Sequence, residues 1–218
     1  MDSYVLDTTA FTEARLRTLF NTDSLEAVVA EIAGLIRDAR LTLNARFYMT
    51  PNTWSELRRI LLGSGVSINT VQELSAWITV KAPSKLQLSI PASVFSEYVS
   101  DIRRRFFRGL RVAETALRRA ARECGSSEEC IGEAIKGLRE KYREATRKGL
   151  VDSVEDLDTI LLAVEIKGIV VTSDQGIRKL SEQLGIIVVD PEDFVNMLRR
   201  MITGARTGQK PIKPEQEQ

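Results

Sequence analysis

VDSVEDLDTILLAVEIKGIVVTSDQGI, residues Val151 to Ile177, decides the fold. It reads as a helix over 153–166, a short apolar strand Ile169–Thr172, and the start of a second helix at about 175. Asp174 follows the strand directly, and Asp152, Glu155, Asp156 and Asp158 crowd the start of the first helix. Downstream the alternation continues with a strand over Ile186–Val189 and a helix over 191–202. At the other end of the chain a strand Tyr4–Leu6 runs into Asp7, and TTAFTEARLRTLF reads as one helix. A helix Ser24–Leu43 follows, then a strand Phe47–Met49. The next helix opens with Thr50 as N-cap and Pro51 at its first position, and another covers Ile68–Thr79. Strands alternating with helices predict an α/β fold, a parallel sheet flanked by helices with right-handed crossovers.

The middle of the chain breaks that rhythm. From Ala92 to about Arg122, Phe95, Val99, Ile102, Phe106, Leu110, Ala113 and Leu117 recur three or four residues apart, predicting a long helix whose apolar stripe faces a partner. Ser126 and Glu129 read as a capping box, and Ile131, Ala134, Ile135, Leu138, Tyr142 and Ala145 carry a second helix that stops at Lys148 and Gly149. The expected organisation is one α/β domain in two parts, 1–90 and 150–202, interrupted by an inserted helical hairpin over 91–149. Residues 203–218, nearly devoid of apolar side chains, read as a disordered tail.

Composition narrows the chemistry. The 218 residues contain no histidine, which removes histidine triads, HExxH zinc sites and histidine acid–base ribonuclease chemistry together. Two cysteines, Cys124 and Cys130, are too few for a disulfide framework or a four-cysteine zinc site; they read as free thiols, with a spacing that allows a bridge across the hairpin turn. No apolar run approaches a membrane span and no signal-peptide pattern opens the chain, so a soluble cytoplasmic protein is expected. The net charge of +1 hides an uneven distribution: Arg103, Arg104, Arg105, Arg108, Arg111, Arg118, Arg119 and Arg122 stand against one acid, Glu114.

The acids have a common address. Ligand crevices of open α/β sheets lie beyond the carboxyl ends of the strands, where Asp7 and Asp174 fall. The acid-rich helix start belongs to the same predicted edge, and Glu56 lies in the first turns of the helix after Thr50. Several carboxylates in one crevice repel unless a cation neutralises them, and Mg²⁺ or Mn²⁺ takes oxygen ligands while keeping several waters. Such an ion delivers a hydroxide-like nucleophile and neutralises phosphate oxygens, with no histidine required. Each acid also has an ordinary reading: Asp7 and Asp174 as helix caps, Asp152 with Glu155 or Ser153 with Asp156 as capping pairs, Glu56 as a solvated helix residue.

YVLDTTAF, TPNTWSEL, DLDTILLAVE and GIVVTSDQGI, in that order, resemble the motif set of PIN-domain ribonucleases. The resemblance places Asp7, Glu56, Asp156 and Asp174 in the metal-binding positions. It prefers Asp156 over Asp158 by its spacing to Asp174, and makes Asp152 an additional acid. The hairpin before the late acidic motif and the ending VVDPEDFV resemble the protein-only ribonuclease P group of archaea and thermophilic bacteria across nearly the whole chain. That resemblance implies metal-dependent endonucleolytic removal of the 5′ leader of precursor tRNA, leaving a 5′ phosphate, and large homo-oligomers built through the hairpins. No nucleotide cofactor is expected.

Structured RNA is recognised largely through phosphates and 2′-hydroxyls, which suits the eight hairpin arginines. Against that stands their pairing with Glu133, Glu140 and Glu144 of the second helix, or with another subunit. Adjacent Phe106 and Phe107 cannot both join one stripe. Two other functions fit the same residues: a PIN ribonuclease acting on other RNA, and a non-catalytic partner or scaffold for RNA processing.

Overall fold

The computed structural model describes residues 2–147, 151 and 153–207. Five parallel strands, β1 (Ser3–Leu6), β2 (Arg46–Met49), β3 (Thr79–Val80), β4 (Ile169–Val171) and β5 (Val188–Val189), lie in the order β3-β2-β1-β4-β5. The first three strands step outward from β1 on one side, and the chain then returns to build β4 and β5 on the other. The order therefore reverses between β1 and β4, where an α/β sheet opens its ligand crevice. Tyr4 pairs with Phe47 on one side and Ile169 on the other, and Leu6 with Val171.

Alternation along β1 separates two cores. Tyr4 and Leu6 join a large cluster with Phe47, Met49 and Phe194, whereas Val5 faces Ile160, Leu162, Val170 and Ile177. The Tyr4 ring stacks on Phe47 at 5.3 Å and meets Phe194 at 5.5 Å. Burial, with Asp2 nearby, pushes the Tyr4 phenol up to about 12.

Helix starts follow local chemistry. Ser24 accepts from the Ala27 amide ahead of α3 (Leu25–Leu43), and Thr50 from Thr53 ahead of α4 (Pro51–Gly63), with Pro51 where its missing N–H costs nothing. The segment after Asp7 departs from the expected single helix. It forms α1 (Thr9–Thr12) and α2 (Ala14–Leu19), broken where Glu13 adopts ψ 129°. Phe11 and Leu16 would stand about 140° apart on a continuous helix; the break lets both reach the core, and both are fully buried. The helix expected to Thr79 ends earlier, as α5 (Ile68–Trp77), and β3 adds a strand that the sequence pattern does not signal. Two exposed residues carry no periodicity, and only pairing with β2 makes them a strand.

The hairpin consists of α6 (Ala92–Glu123) and α7 (Glu128–Arg147), the former about 48 Å long at 1.5 Å per residue. Its cap is Ser127, whose hydroxyl accepts from the Cys130 amide at 3.4 Å, rather than Ser126. Cys124 and Cys130 are joined in a disulfide across the turn, not free. The apolar stripe does not face α7: Phe95, Val99, Phe106, Leu110 and Leu117 are all exposed. The helices approach closely at Gly109. A Cβ added to buried Gly109 would stand 2.7 Å from Tyr142 Cε2 and 2.8 Å from Thr146 Cγ2. Gly109→Val is therefore expected to splay the hairpin and cost about 1–3 kcal/mol, read as a lower unfolding midpoint in urea.

The remaining helices, α8 (Val154–Ile166), α9 (Gln175–Gln183) and α10 (Pro191–Thr207), return the chain to the sheet. The end of α10 corrects the expected tail boundary, since 203–207 are helical. Arg206, near its end, bonds Asp38 of α3 at 2.8 Å. The rest of the expected disordered tail, 208–218, lies outside the described residues. Three contacts anchor the base of α6 to the α/β body: Tyr98 donates to the Val151 carbonyl at 2.9 Å, Lys179 to Asp101 at 3.0 Å, and Gln183 to Glu97 at 2.7 Å.

Candidate active site

Asp7 leaves the end of β1 and is 6% exposed. Its Oδ2 accepts from two hydroxyls, Thr9 at 2.8 Å and Thr172 at 2.9 Å. Its other oxygen has only a long contact, 3.4 Å, with the Thr8 hydroxyl. Asp7 is not a helix cap: Thr8 precedes α1 and no side chain caps that helix. Among the described residues only hydroxyls donate to this carboxylate at the sheet edge.

Thr172, fully buried after β4, links the two strands. Besides donating to Asp7, its hydroxyl oxygen accepts from the Asp174 amide at 3.0 Å, and Thr9 accepts from the Ser173 amide at 3.0 Å. Asp174 caps α9, its Oδ1 accepting from Gly176 at 2.7 Å and Ile177 at 2.9 Å. Those bonds leave Oδ2 of Asp174 aside. Thr172→Val keeps the volume and removes both links. A loss of about tenfold in the single-turnover rate of RNA cleavage is expected, with a fall of a few degrees or so in melting temperature from the unpaired Asp174 amide, read by a thermal scan. Thr172 is a positioning residue, and an unchanged rate would remove it from the site.

Glu56 and Asp156 form a second pair. Ser153 caps α8 by accepting from the Asp156 amide at 3.0 Å, so the Asp156 carboxylate is not the cap. It opens with exposed Glu56, Asn52 and Arg59 on a crevice of about 500 Å³ between α4 and α8. The two helices are held together below it by the hydroxyls of Thr53 and Thr159, 3.3 Å apart. Asp158 turns elsewhere: it is buried, with Oδ1 2.6 Å from Lys85 Nζ in an ionic contact that lacks hydrogen-bond alignment.

The structure thus sets the expected acids as two pairs, Asp7 with Asp174 beyond β1 and β4 and Glu56 with Asp156 on the crevice between α4 and α8, and not as one cluster. Among the described residues no three carboxylates stand close enough to hold one ion together. Asp7 and Asp174 each rest on local donors, threonine hydroxyls for the first and helix N–H groups for the second. Asp152 lies outside the described residues. Sequence reasoning misses the threonines, although DTT after β1 and TSD after β4 carry the signal: a hydroxyl two residues from each acid.

The arginines divide by burial. Arg105 is 8% exposed and bonds Asp101 at 3.2 Å, so it anchors the hairpin base and is not surface presented to RNA. Burial pushes the Asp101 carboxyl up, but Lys179 and Arg105 outweigh it and hold the group below its usual range. Arg103, Arg104, Arg108, Arg111, Arg118, Arg119 and Arg122 are exposed. Among the described residues no ion pair joins the hairpin arginines to Glu133, Glu140 or Glu144; Arg104 meets Asp101 and Arg119 meets Glu123 within α6.

Parallel strands in this order, with acids after β1 and β4 and a third at the helix preceding β4, define a PIN-type ribonuclease. A family profile described as PINc domain ribonuclease matches residues 3–203, and PIN nucleases as a class use divalent metal ions. The chain is 45% identical over 215 residues to an RNA-free ribonuclease P from Hyperthermus butylicus, covering 94% of this chain and 90% of that protein. Proteins of the same name from Ignicoccus hospitalis and Aeropyrum pernix are each 44% identical, covering 92% and 89% of this chain and 99% and 88% of theirs. The chain belongs to the RNA-free ribonuclease P family.

Proposed function

We propose that this protein removes the 5′ leader of precursor tRNA by hydrolysing one phosphodiester bond, leaving a 5′ phosphate on the mature tRNA. The observation that carries the reading is the buried Asp7 carboxylate, joined through Thr172 to Asp174 at the point where the strand order reverses. Family membership over nearly the full chain supports the substrate.

The donor set at the edge is oxygen only, carboxylates and threonine hydroxyls in a chain without histidine, and this fits Mg²⁺ or Mn²⁺ better than zinc or copper. Asp7 and Asp174 would hold the ion directly, with Asp156, Glu56 and Asp152 reaching it through the waters that such an ion keeps. The bound ion supplies an activated water and offsets charge on the phosphate. Thr9 and Thr172 fix the Asp7 carboxylate. Glu56 and Asp156 present negative charge on the crevice between α4 and α8, where such acceptors would orient an attacking water. The exposed arginines of α6 hold the tRNA body by its phosphates.

The exposed stripe Phe95, Val99, Phe106, Leu110 and Leu117 supports a homo-oligomer assembled through the hairpins, since monomers rarely leave so long an apolar run in water. The domain division proposed is an α/β body in two parts with the hairpin inserted between them. Among the described residues no helix is long and apolar enough to cross a membrane; a cytoplasmic location is proposed with it.

Incubating the protein with precursor tRNA and Mg²⁺ and mapping the new 5′ ends tests the reading. One cut at the mature 5′ end is expected. Scattered cuts in unrelated RNAs would make it a ribonuclease of other substrates, and RNA binding without metal-dependent cleavage would make it a scaffold.

A further inference from the structure

A cleft of about 700 Å³ lies between α6 and α9, within the size of ligand-binding clefts. It is lined by Ser100, Arg103, Arg104 and Phe107 from α6, and by Gly176 and Lys179 from α9. Gly176 is also the residue whose amide holds Asp174 at 2.7 Å, so the cleft borders the catalytic edge directly.

Phe107 belongs to this cleft and not to the apolar stripe. Ser96, Ser100, Arg103 and Phe107 recur at four, three and four residues, one face of α6. Phe106 falls on the neighbouring face with Phe95, Val99 and Leu110. The Phe107 ring is 58% exposed, and Arg103 Cζ stands 5.9 Å from its centroid. Among the charged side chains lining the cleft, the three cations Arg103, Arg104 and Lys179 outnumber the two acids Glu97 and Asp101, and buried Arg105 further offsets Asp101. Beyond the cleft the same side of α6 continues as exposed Arg111, Arg118 and Arg122 toward the hairpin tip.

An exposed aromatic ring with cations beside it is the arrangement that binds an unpaired nucleotide, the base on the ring and the phosphates on the cations. A base-paired nucleotide cannot offer its face to a side chain. We propose that this cleft seats the unpaired leader nucleotide next to the scissile bond, stacked on Phe107 with Arg103 and Lys179 beside its phosphates. The proposal rests on the precursor tRNA reading. It adds a substrate subsite that distinguishes precursor from product, because mature tRNA has no leader to place there.

The test uses the full chain and three RNAs: precursor tRNA, the same RNA without its leader, and precursor with its 3′ single-stranded end removed. Binding is measured in Ca²⁺ to suppress cleavage, together with the fluorescence of 2-aminopurine placed as the last leader nucleotide. Phe107→Ala is expected to weaken binding of leader-bearing RNA about tenfold or more and to abolish quenching of the probe, leaving leaderless tRNA unaffected. Phe107→Trp is expected to restore both. Equal weakening on all three RNAs would overturn the proposal. So would an effect that disappears with the 3′ end and not with the leader, or a smaller assembly in light scattering with unchanged binding per subunit. Wild-type cleavage at the mature 5′ end, run alongside, separates failure of the subsite from failure of the tRNA reading.

Discussion

Asp7→Asn is expected to lower the cleavage rate of precursor tRNA by at least about a thousandfold, or about 4 kcal/mol of transition-state stabilisation, while the protein remains folded. Both strong hydrogen bonds of Asp7 end on the same oxygen, from Thr9 and Thr172. An asparagine oxygen in that place accepts both, so the links to β4 survive. The substituted atom is the one with only the 3.4 Å Thr8 contact, where an amide nitrogen replaces a charged oxygen. The variant thus separates charge from scaffolding more cleanly than a truncation would. Single-turnover cleavage at saturating Mg²⁺, beside circular dichroism and a thermal scan, measures it. A rate within tenfold of wild type would remove Asp7 from the reacting centre.

The second large effect is expected on binding. Arg111→Ala, Arg118→Ala and Arg122→Ala combined weaken the complex with precursor tRNA about a hundredfold at low salt and flatten the plot of log affinity against log salt by about three. These side chains are exposed and lie along one side of α6, which a rigid duplex can follow. A phosphate that no arginine neutralises keeps its condensed counterion, so slope and affinity fall together. The maximal cleavage rate with saturating enzyme is expected to hold, because no altered residue lies near Asp7 or Asp174. Weaker affinity without a change of slope would assign the arginines to packing or assembly. Arg105 is a poor choice for this experiment, since buried beside Asp101 its removal would loosen the hairpin base.

Much of the site can be read along the chain because caps and strand ends are local events. The Thr50–Pro51 start of α4, the Ser153 cap and the Asp174 cap each depend on residues within a turn of one another. An acid following an apolar run is equally visible, and it puts Asp7 and Asp174 at one edge. The threonines leave only a faint local mark, a hydroxyl two residues from each acid; that Thr172 meets Asp7 across 165 residues of chain is not legible. Arg105 misleads for the converse reason. It stands in a run of three arginines, and only its burial in the folded chain shows that its neighbours point outward while it does not.

The sequence by itself determined the α/β alternation, the inserted hairpin, the absence of histidine chemistry and the candidate acids, because periodicity, capping and composition are properties of short stretches. Tertiary structure alone decided which strand lies beside which, and so which acids share the switch point. It broke the first helix at Glu13 to bury both Phe11 and Leu16, turned the hairpin's apolar stripe to solvent, and set Phe107 in a cleft beside Gly176. Those outcomes depend on contacts between residues far apart in the chain, whose energies appear only once the backbone has brought them together.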